Sequence, residues 1–294
     1  MKALRLTQGY GLIEGPVWDH SQGLLFSDVI HGGVYCLDQD RLTSVVFEHR
    51  RGIGGMCLHE SGGLVISGRN LAFKAFADGA TTTLIDQDPD HGRVGFNDLT
   101  TDPAGRIYAG SLGSSPVFED GLEPRSGHLY LLDLDGQARV VSEDIRLTNG
   151  LGFSPNGKYL YHSDSRRGAV LRYTVEQDGS LSDRHSFIEP ERGIPDGLVV
   201  STDGRIWVAL ADGGHGVAVY AANGELTDFI EIDDPMCTSV CFGGDDLKDL
   251  YIVSGSHGSS SDRAGGVFRA RTEVAGMPVA KARIPLGHYA VPQV

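Results

Sequence analysis

Residues 145–165, "IRLTNGLGFSPNGKYLYHSDS", carry the reading that decides the fold. They read as strand, turn, strand: an apolar alternation through Leu151 and Phe153, a turn at Ser154-Pro155-Asn156-Gly157, and a second apolar run through Tyr159, Leu160 and Tyr161. Asn149, a poor strand former, stands at the mouth of the first strand, just before Gly150. It is either turn chemistry or a ligand held out at a strand end. Which one depends on what equivalent segments place in the same slot.

Five further segments share the pattern of strand opening, apolar alternation, Gly-ended turn and further apolar strands. They open at Glu14 ("EGPVWDHSQGLLFSDV"), Gly54 ("GGMCLHESGGLVISG"), Asn97 ("NDLTTDPAGRIYAGS"), Asp196 ("DGLVVSTDGRIWVAL") and Thr238 ("TSVCFGGDDLKDLYIVSG"). With Asn149 in the series, successive openings lie 40, 43, 52, 47 and 42 residues apart, the period of a four-stranded propeller blade. The runs between units ("RLTSVVFEH", "TTTLIDQ", "ARVVSED", "LSDRHSFIE", "LTDFIEI") supply a fourth, outer strand. The expected fold is all-β: a six-bladed β-propeller with four antiparallel strands per blade, one domain over residues 1–294. "ALRLTQ" near the start and "AKARIPL" near the end are both candidates to close the ring and remove free sheet edges.

Composition agrees with many short strands. Glycine is very frequent, with 41 residues, and charged residues at 22% against 40% hydrophobic exclude a disordered chain. The net charge of −14 disfavours nucleic acid and anionic membranes as partners. No run of 18 apolar residues occurs, and "MKALRLTQGYGL" lacks a signal-peptide core, so a cytoplasmic protein is expected. Cys36, Cys57, Cys237 and Cys241 form no C-x-x-C pair and read as buried thiols.

In a propeller the first strand of each blade lines the central channel, so the six openings form a ring: Glu14, Gly54, Asn97, Asn149, Asp196, Thr238. Two carboxylates and two amides would converge there with no Lys or Arg in an equivalent slot. Buried acids so placed repel and are costly unless paired or metal-bound. A divalent cation on the channel axis resolves this, and hard oxygen donors suit Ca²⁺, Mg²⁺ or Mn²⁺. Read as one of a phased set, Asn149 is a ligand candidate.

These residues also carry a resemblance. "EGPVW", "FND" followed by "DPAGRIYAGS", "TNGLGFSPNGKYLYHSDS", "PDGLVVSTDGRIWVAL" and "TSVCFGGDDLKDLYIVSG" are similar in wording and order to the family of senescence marker protein (regucalcin) and the sugar gluconolactonases, from about residue 11 to 282. The resemblance implies a six-bladed propeller with one divalent ion, Ca²⁺ first and Zn²⁺, Mn²⁺, Mg²⁺ or Fe²⁺ as alternatives, and hydrolysis of a small-molecule lactone. It places the metal ligands at Glu14, Asn149 and Asp196 and a substrate contact at Asn97. Asp196, a carboxylate beside the ion, is the expected general base, and Asp98 an outer partner of the site.

The departures from that family bear on substrate. Its members often carry an Arg two residues before the substrate-binding Asn, where this chain has Gly95; Arg93 is the nearest replacement. The stretch "AGSLGSSPVFEDGLEPRSG" forms a longer loop, with Ser115 and Glu119 as candidate substrate contacts. D-glucono-1,5-lactone is therefore not required to be the best substrate. Another ester or organophosphate hydrolase, or a non-enzymatic calcium-binding propeller, would use the same ring. His162 is expected to be a packed, hydrogen-bonded strand residue, and His215 and His257 to lie in Gly-rich surface loops, with the channel mouth as the alternative position. No serine-nucleophile elbow or zinc spacing is present.

Overall fold

A computed structural model describes residues 2–48, 51–118, 121 and 123–291. Its strands form six four-stranded antiparallel sheets. Five of these are consecutive in sequence, with inner strands Ile13–Asp19, Met56–His59, Gly95–Thr101, Thr148–Phe153 and Ile194–Val200. The sixth has Met236–Gly243 innermost and takes its outer strand from the N-terminal run, Leu4–Tyr10, which pairs with Gly265–Arg271. Each inner strand packs against those of the two neighbouring blades, and the series returns from blade 6 to blade 1, so the ring is closed. Among the described residues helix is limited to two single 3₁₀ turns, Pro89–His91 and Ser165–Arg167.

Packing between blades explains the near-continuous apolar strands. Every residue of Gly23–Asp28 and Ile206–Ala211 is buried, because both faces of a middle strand meet another sheet. Each of the six core clusters spans two successive blades; one joins Ile13, Leu24 and Phe26 of blade 1 to Tyr251, Val253 and Val267 of blade 6. The four cysteines are buried and unpaired within these cores.

The two terminal runs do different work. "ALRLTQ" closes the ring as expected, but "AKARIPL" adds no strand to any blade. Instead the chain from Gly276 to Arg283 crosses the rear of the channel. Met277 N donates to Val200 O in blade 5 (2.8 Å), Ala282 N to Leu58 O in blade 2 (2.7 Å), and Arg283 N to Gly105 O in blade 3 (2.9 Å). Proline and alanine (Pro278, Ala280) suit a cross-piece more than a fourth strand, and Thr101 clamps Ala280 O through its hydroxyl. Behind it remains a cavity of about 250 Å³, bounded by inner-strand residues such as Val17, Met56, Leu151, Leu198 and Val240. The cross-piece thus covers the strand-ending side of the channel.

Candidate metal centre and substrate pocket

The inner strands bend where the ring residues sit. In five blades the ladder between inner and second strand loses register at that point: between Glu14 and Val17, Phe96 and Leu99, Thr148 and Leu151, Pro195 and Leu198, and Cys237 and Ser239. A bulge of this kind re-aims a side chain out of the pleat. At Glu14 it depends on Gly15, whose φ of +56° is left-handed and whose missing Cβ would stand 3.1 Å from the Gly55 backbone. The turns leading into the ring are tied down by the carboxylate ending the second strand. Asp28 accepts from Gly11 N (2.9 Å) ahead of Glu14, and Asp164 accepts from Leu147 N (2.9 Å) ahead of Asn149.

Glu14, Asn149 and Asp196 are buried, at 9%, 8% and 6% exposure, which puts two carboxylates in a poorly solvated space. Burial, reinforced by the charges of Asp196 and Asp98, raises the Glu14 carboxyl well above its ordinary range. Burial and the charge of Asp98 do the same for Asp196, and burial pushes Asp98 up to about 7. No cation appears among the causes of these shifts. Asp196 Oδ1 is buried without a hydrogen-bond partner among the described residues.

The amides are ordered by a chain of hydrogen bonds. Asn97 Nδ2 donates to Thr148 O (2.8 Å) and Asn149 Oδ1 (2.6 Å); Asn149 Nδ2 donates to Ser165 Oγ (2.7 Å), which donates to Pro195 O (2.6 Å) beside Asp196. Ser165 therefore fixes the amide so that the Asn149 oxygen lies on the Asn97 side, with one lone pair left for a ligand. Gly54 contributes room: a Cβ there would be 1.9 Å from Asn97 Oδ1. Thr238, by contrast, spends its hydroxyl on Ile13 O (2.6 Å) and leaves the donor set.

Among the described residues no three His, Cys, Asp or Glu side chains converge as a metal cluster. A cation here would rest on a mixed set, the Glu14 and Asp196 carboxylates and the Asn149 amide oxygen. The residues fit such an ion: hard donors only, an orphaned buried oxygen, and acids that nothing else neutralises.

The substrate-side residues are less uniform. Asn97 stands in the ring. Arg93 does not reach it: its guanidinium donates to Asp86 O (3.2 Å) and the Tyr130 hydroxyl (3.3 Å) and lies 3.8 Å from Asp88. Gly95 is occupied by backbone on its side-chain side, since a Cβ would sit 2.7 Å from Gly68 O. Ser115 accepts from Phe118 N (3.0 Å), an interaction that builds its own loop. Glu119 lies outside the described residues. His162 is fully buried and bonds Thr148 Oγ1 (2.7 Å), as expected of a packed strand histidine, and burial lowers it to about 4. His215 and His257 fall in the loops between second and third strands of blades 5 and 6. Sequence reasoning missed Ser165 and its neighbour Arg166, whose Nη1 donates to Ser114 Oγ (3.2 Å). The signal was present in "HSDSRR", where a strand ends on Asp164 and the following Ser165 can turn back into the site.

A closed six-bladed propeller with a ring of hard oxygen donors in its channel defines a class, and sequence comparison places the chain within it. Residues 12–256 match the family model of the SMP-30/gluconolactonase/LRE-like region, and the chain belongs to that family. It is 31% identical to regucalcin from Gallus gallus over 271 residues, covering 88% of this chain and 90% of that protein. It is 32% identical to 6-deoxy-6-sulfogluconolactonase from Pseudomonas putida over 276 residues, covering 90% and 92%. The crystal structure of regucalcin from Agrobacterium tumefaciens, described as a calcium-binding protein, superimposes with a TM-score of 0.84 at 22% identity, covering 97% and 99%, a likeness of fold. Among the described residues no helix is long and apolar enough to cross a membrane.

Proposed function

We propose that this protein is a divalent-metal-dependent lactonase acting on a small-molecule lactone. The observation that carries the reading is the buried Glu14–Asp196 pair, raised in pKa and with Asp196 Oδ1 left without a partner. The lactonase name of the Pseudomonas putida relative supports the reaction class. Glu14, Asn149 and Asp196 would hold the ion, with Ca²⁺ first because all three offer hard oxygen. When bound, the ion supplies Lewis-acid polarisation of a carbonyl and stabilises developing oxyanion charge.

The chain's own residues supply the rest. Asp196 offers an unpartnered carboxylate oxygen to take the proton of the attacking water. The Asn97 amide, fixed through its Nδ2, orients water or the substrate's hydroxyls with its oxygen in the space left by Gly54. The rear cross-piece Gly276–Arg283 confines substrate to the strand-opening side.

The test is a pH-stat panel of aldono- and other lactones, corrected for spontaneous opening, before and after chelation and metal return. Turnover should require the metal, and Glu14→Gln and Asp196→Asn should each lose bound metal and most activity. If the metal-loaded protein opens no lactone above background, or cleaves only phosphotriesters, the reading is wrong.

A further inference from the structure

We infer that Arg166 is a specificity residue that reads an oxyanion substituent (carboxylate, sulfonate or phosphate) on the lactone ring; this rests on the lactonase reading and names its substrate class. Arg166 and Arg167 are adjacent on one 3₁₀ turn but have different partners. Arg167 is consumed by the fold, bonding Asp164 Oδ2 (3.0 Å) and Asp144 Oδ2 (3.0 Å). Arg166 is exposed, and among the described residues no carboxylate pairs with it; its one described bond goes to the neutral Ser114 hydroxyl. It follows directly on Ser165, the residue that bonds the ring member Asn149 and Pro195 O.

Ser114 Oγ also accepts from Arg125 N (3.3 Å), which brings the exposed Arg125 to the same edge of the mouth. Arg69, also exposed, follows Gly68, whose backbone pairs with Phe96 beside Asn97. Glu123 is the described acid of the 113–126 loop, and it forms no ion pair with Arg166 among the described residues. Three exposed guanidinium groups on blades 2 to 4 thus flank the strand-opening end of a channel in a chain of net charge −14. A guanidinium without a carboxylate partner attracts anions to its side of the mouth. A guanidinium also matches the bidentate geometry of carboxylate, sulfonate or phosphate oxygens.

The experiment uses unreactive ring analogues, so that it does not depend on turnover. Binding of D-glucose, D-glucuronate and D-glucose 6-phosphate to the metal-loaded protein is measured by calorimetry for wild type, Arg166→Leu and Arg166→Lys. Wild type should bind at least one anion tighter than glucose by about 10-fold or more, the order expected for a charged hydrogen bond. Arg166→Leu should abolish that preference and Arg166→Lys keep part of it, with metal content and Tm unchanged. The glucuronate and phosphate arms distinguish a sugar acid from a phosphate ester. Equal affinity for glucose and both anions in wild type, or an anion preference that survives in Arg166→Leu because the ion itself holds it, overturns the inference. In parallel, kcat/KM is compared for D-glucaro-1,4-lactone and D-glucono-1,5-lactone; neutral-lactone turnover without an Arg166-dependent anion preference would refute this inference alone, while the converse would refute lactone hydrolysis alone.

Discussion

Asp98 offers the sharpest test of the claim that the channel concentrates uncompensated acid. In the folded, metal-free protein its carboxyl ionises at about 7 instead of 3.8, because burial disfavours the charge. A carboxyl raised in this way binds a proton in the folded state that the unfolded chain has released. Stability therefore falls as pH rises from about 4 through about 7. At pH 8 both states are ionised and the full shift costs about 4 kcal/mol; at pH 5 the folded state keeps its proton and the cost is about 1.5–2 kcal/mol. Asp98→Asn removes this cost, so the advantage of the variant over wild type should be about 2–2.5 kcal/mol larger at pH 8 than at pH 5. That corresponds to roughly 5 °C in Tm for a chain of this size. The same substitution relieves Glu14 and Asp196, both raised by the charge of Asp98, and pushes the result the same way. Comparing variant with wild type at each pH cancels other titrating groups. The assay is thermal unfolding by circular dichroism after chelation, repeated with Ca²⁺, which should shrink the advantage at pH 8. A pH-independent advantage, or one larger at pH 5, would refute the reasoning.

Three further outcomes follow from other parts of the site. Ser165→Ala leaves Asn149 Nδ2 and Pro195 O without their partner; metal affinity by titration calorimetry should fall about 10- to 100-fold, and unchanged affinity would remove Ser165 from the site. Gly95→Arg restores the side chain that similar lactonases carry but drives a Cβ to 2.7 Å from Gly68 O, so it should cost about 1–3 kcal/mol and not raise kcat/KM on D-glucono-1,5-lactone; a gain in turnover at unchanged Tm would contradict this. His162, lowered to about 4 from an ordinary 6.5, is neutral when folded; wild type should lose up to about 3 kcal/mol as pH falls from 6.5 to 4, and His162→Gln should flatten that acid limb of the Tm profile.

The fold was legible because a propeller repeats its instructions. Six phased openings, each followed by an apolar alternation and a Gly-ended turn, leave few architectures that bury the second strand of each unit on both faces, and the outer-strand runs fell where the ladders place them. The ends of the chain were not separable by the same means. "ALRLTQ" and "AKARIPL" are both short apolar runs, and only tertiary contact decides that the first pairs with Gly265–Arg271 while the second crosses the rear of the channel. Ring membership was legible, but the direction of each donor was not. Thr238 turns its hydroxyl to Ile13 O, and Arg93 is held by Asp86 O, Asp88 and the buried Tyr130 hydroxyl, partners that no spacing rule reveals.

Asn149 shows how closely the fold and the site are coupled. Its follower Gly150 is needed because a Cβ there would meet Leu198 N of blade 5 at 2.1 Å, and Gly197 after Asp196 faces Ser239 of blade 6 in the same way. The glycines after Asn149 and Asp196 thus set how closely these inner strands approach. Blade 6 follows Thr238 with Ser239, and blade 3 follows Asn97 with Asp98, whose Oδ1 occupies the space beside Gly55, where a Cβ would come within 2.6 Å of it. A third acid has therefore been placed against Glu14 and Asp196 at a position where its neighbours use glycine. Packing alone would favour a small neutral residue there. A buried carboxylate at that point is costly to the empty fold and favourable to a bound cation, so the same substitution that stabilises the metal-free protein should weaken its hold on the metal.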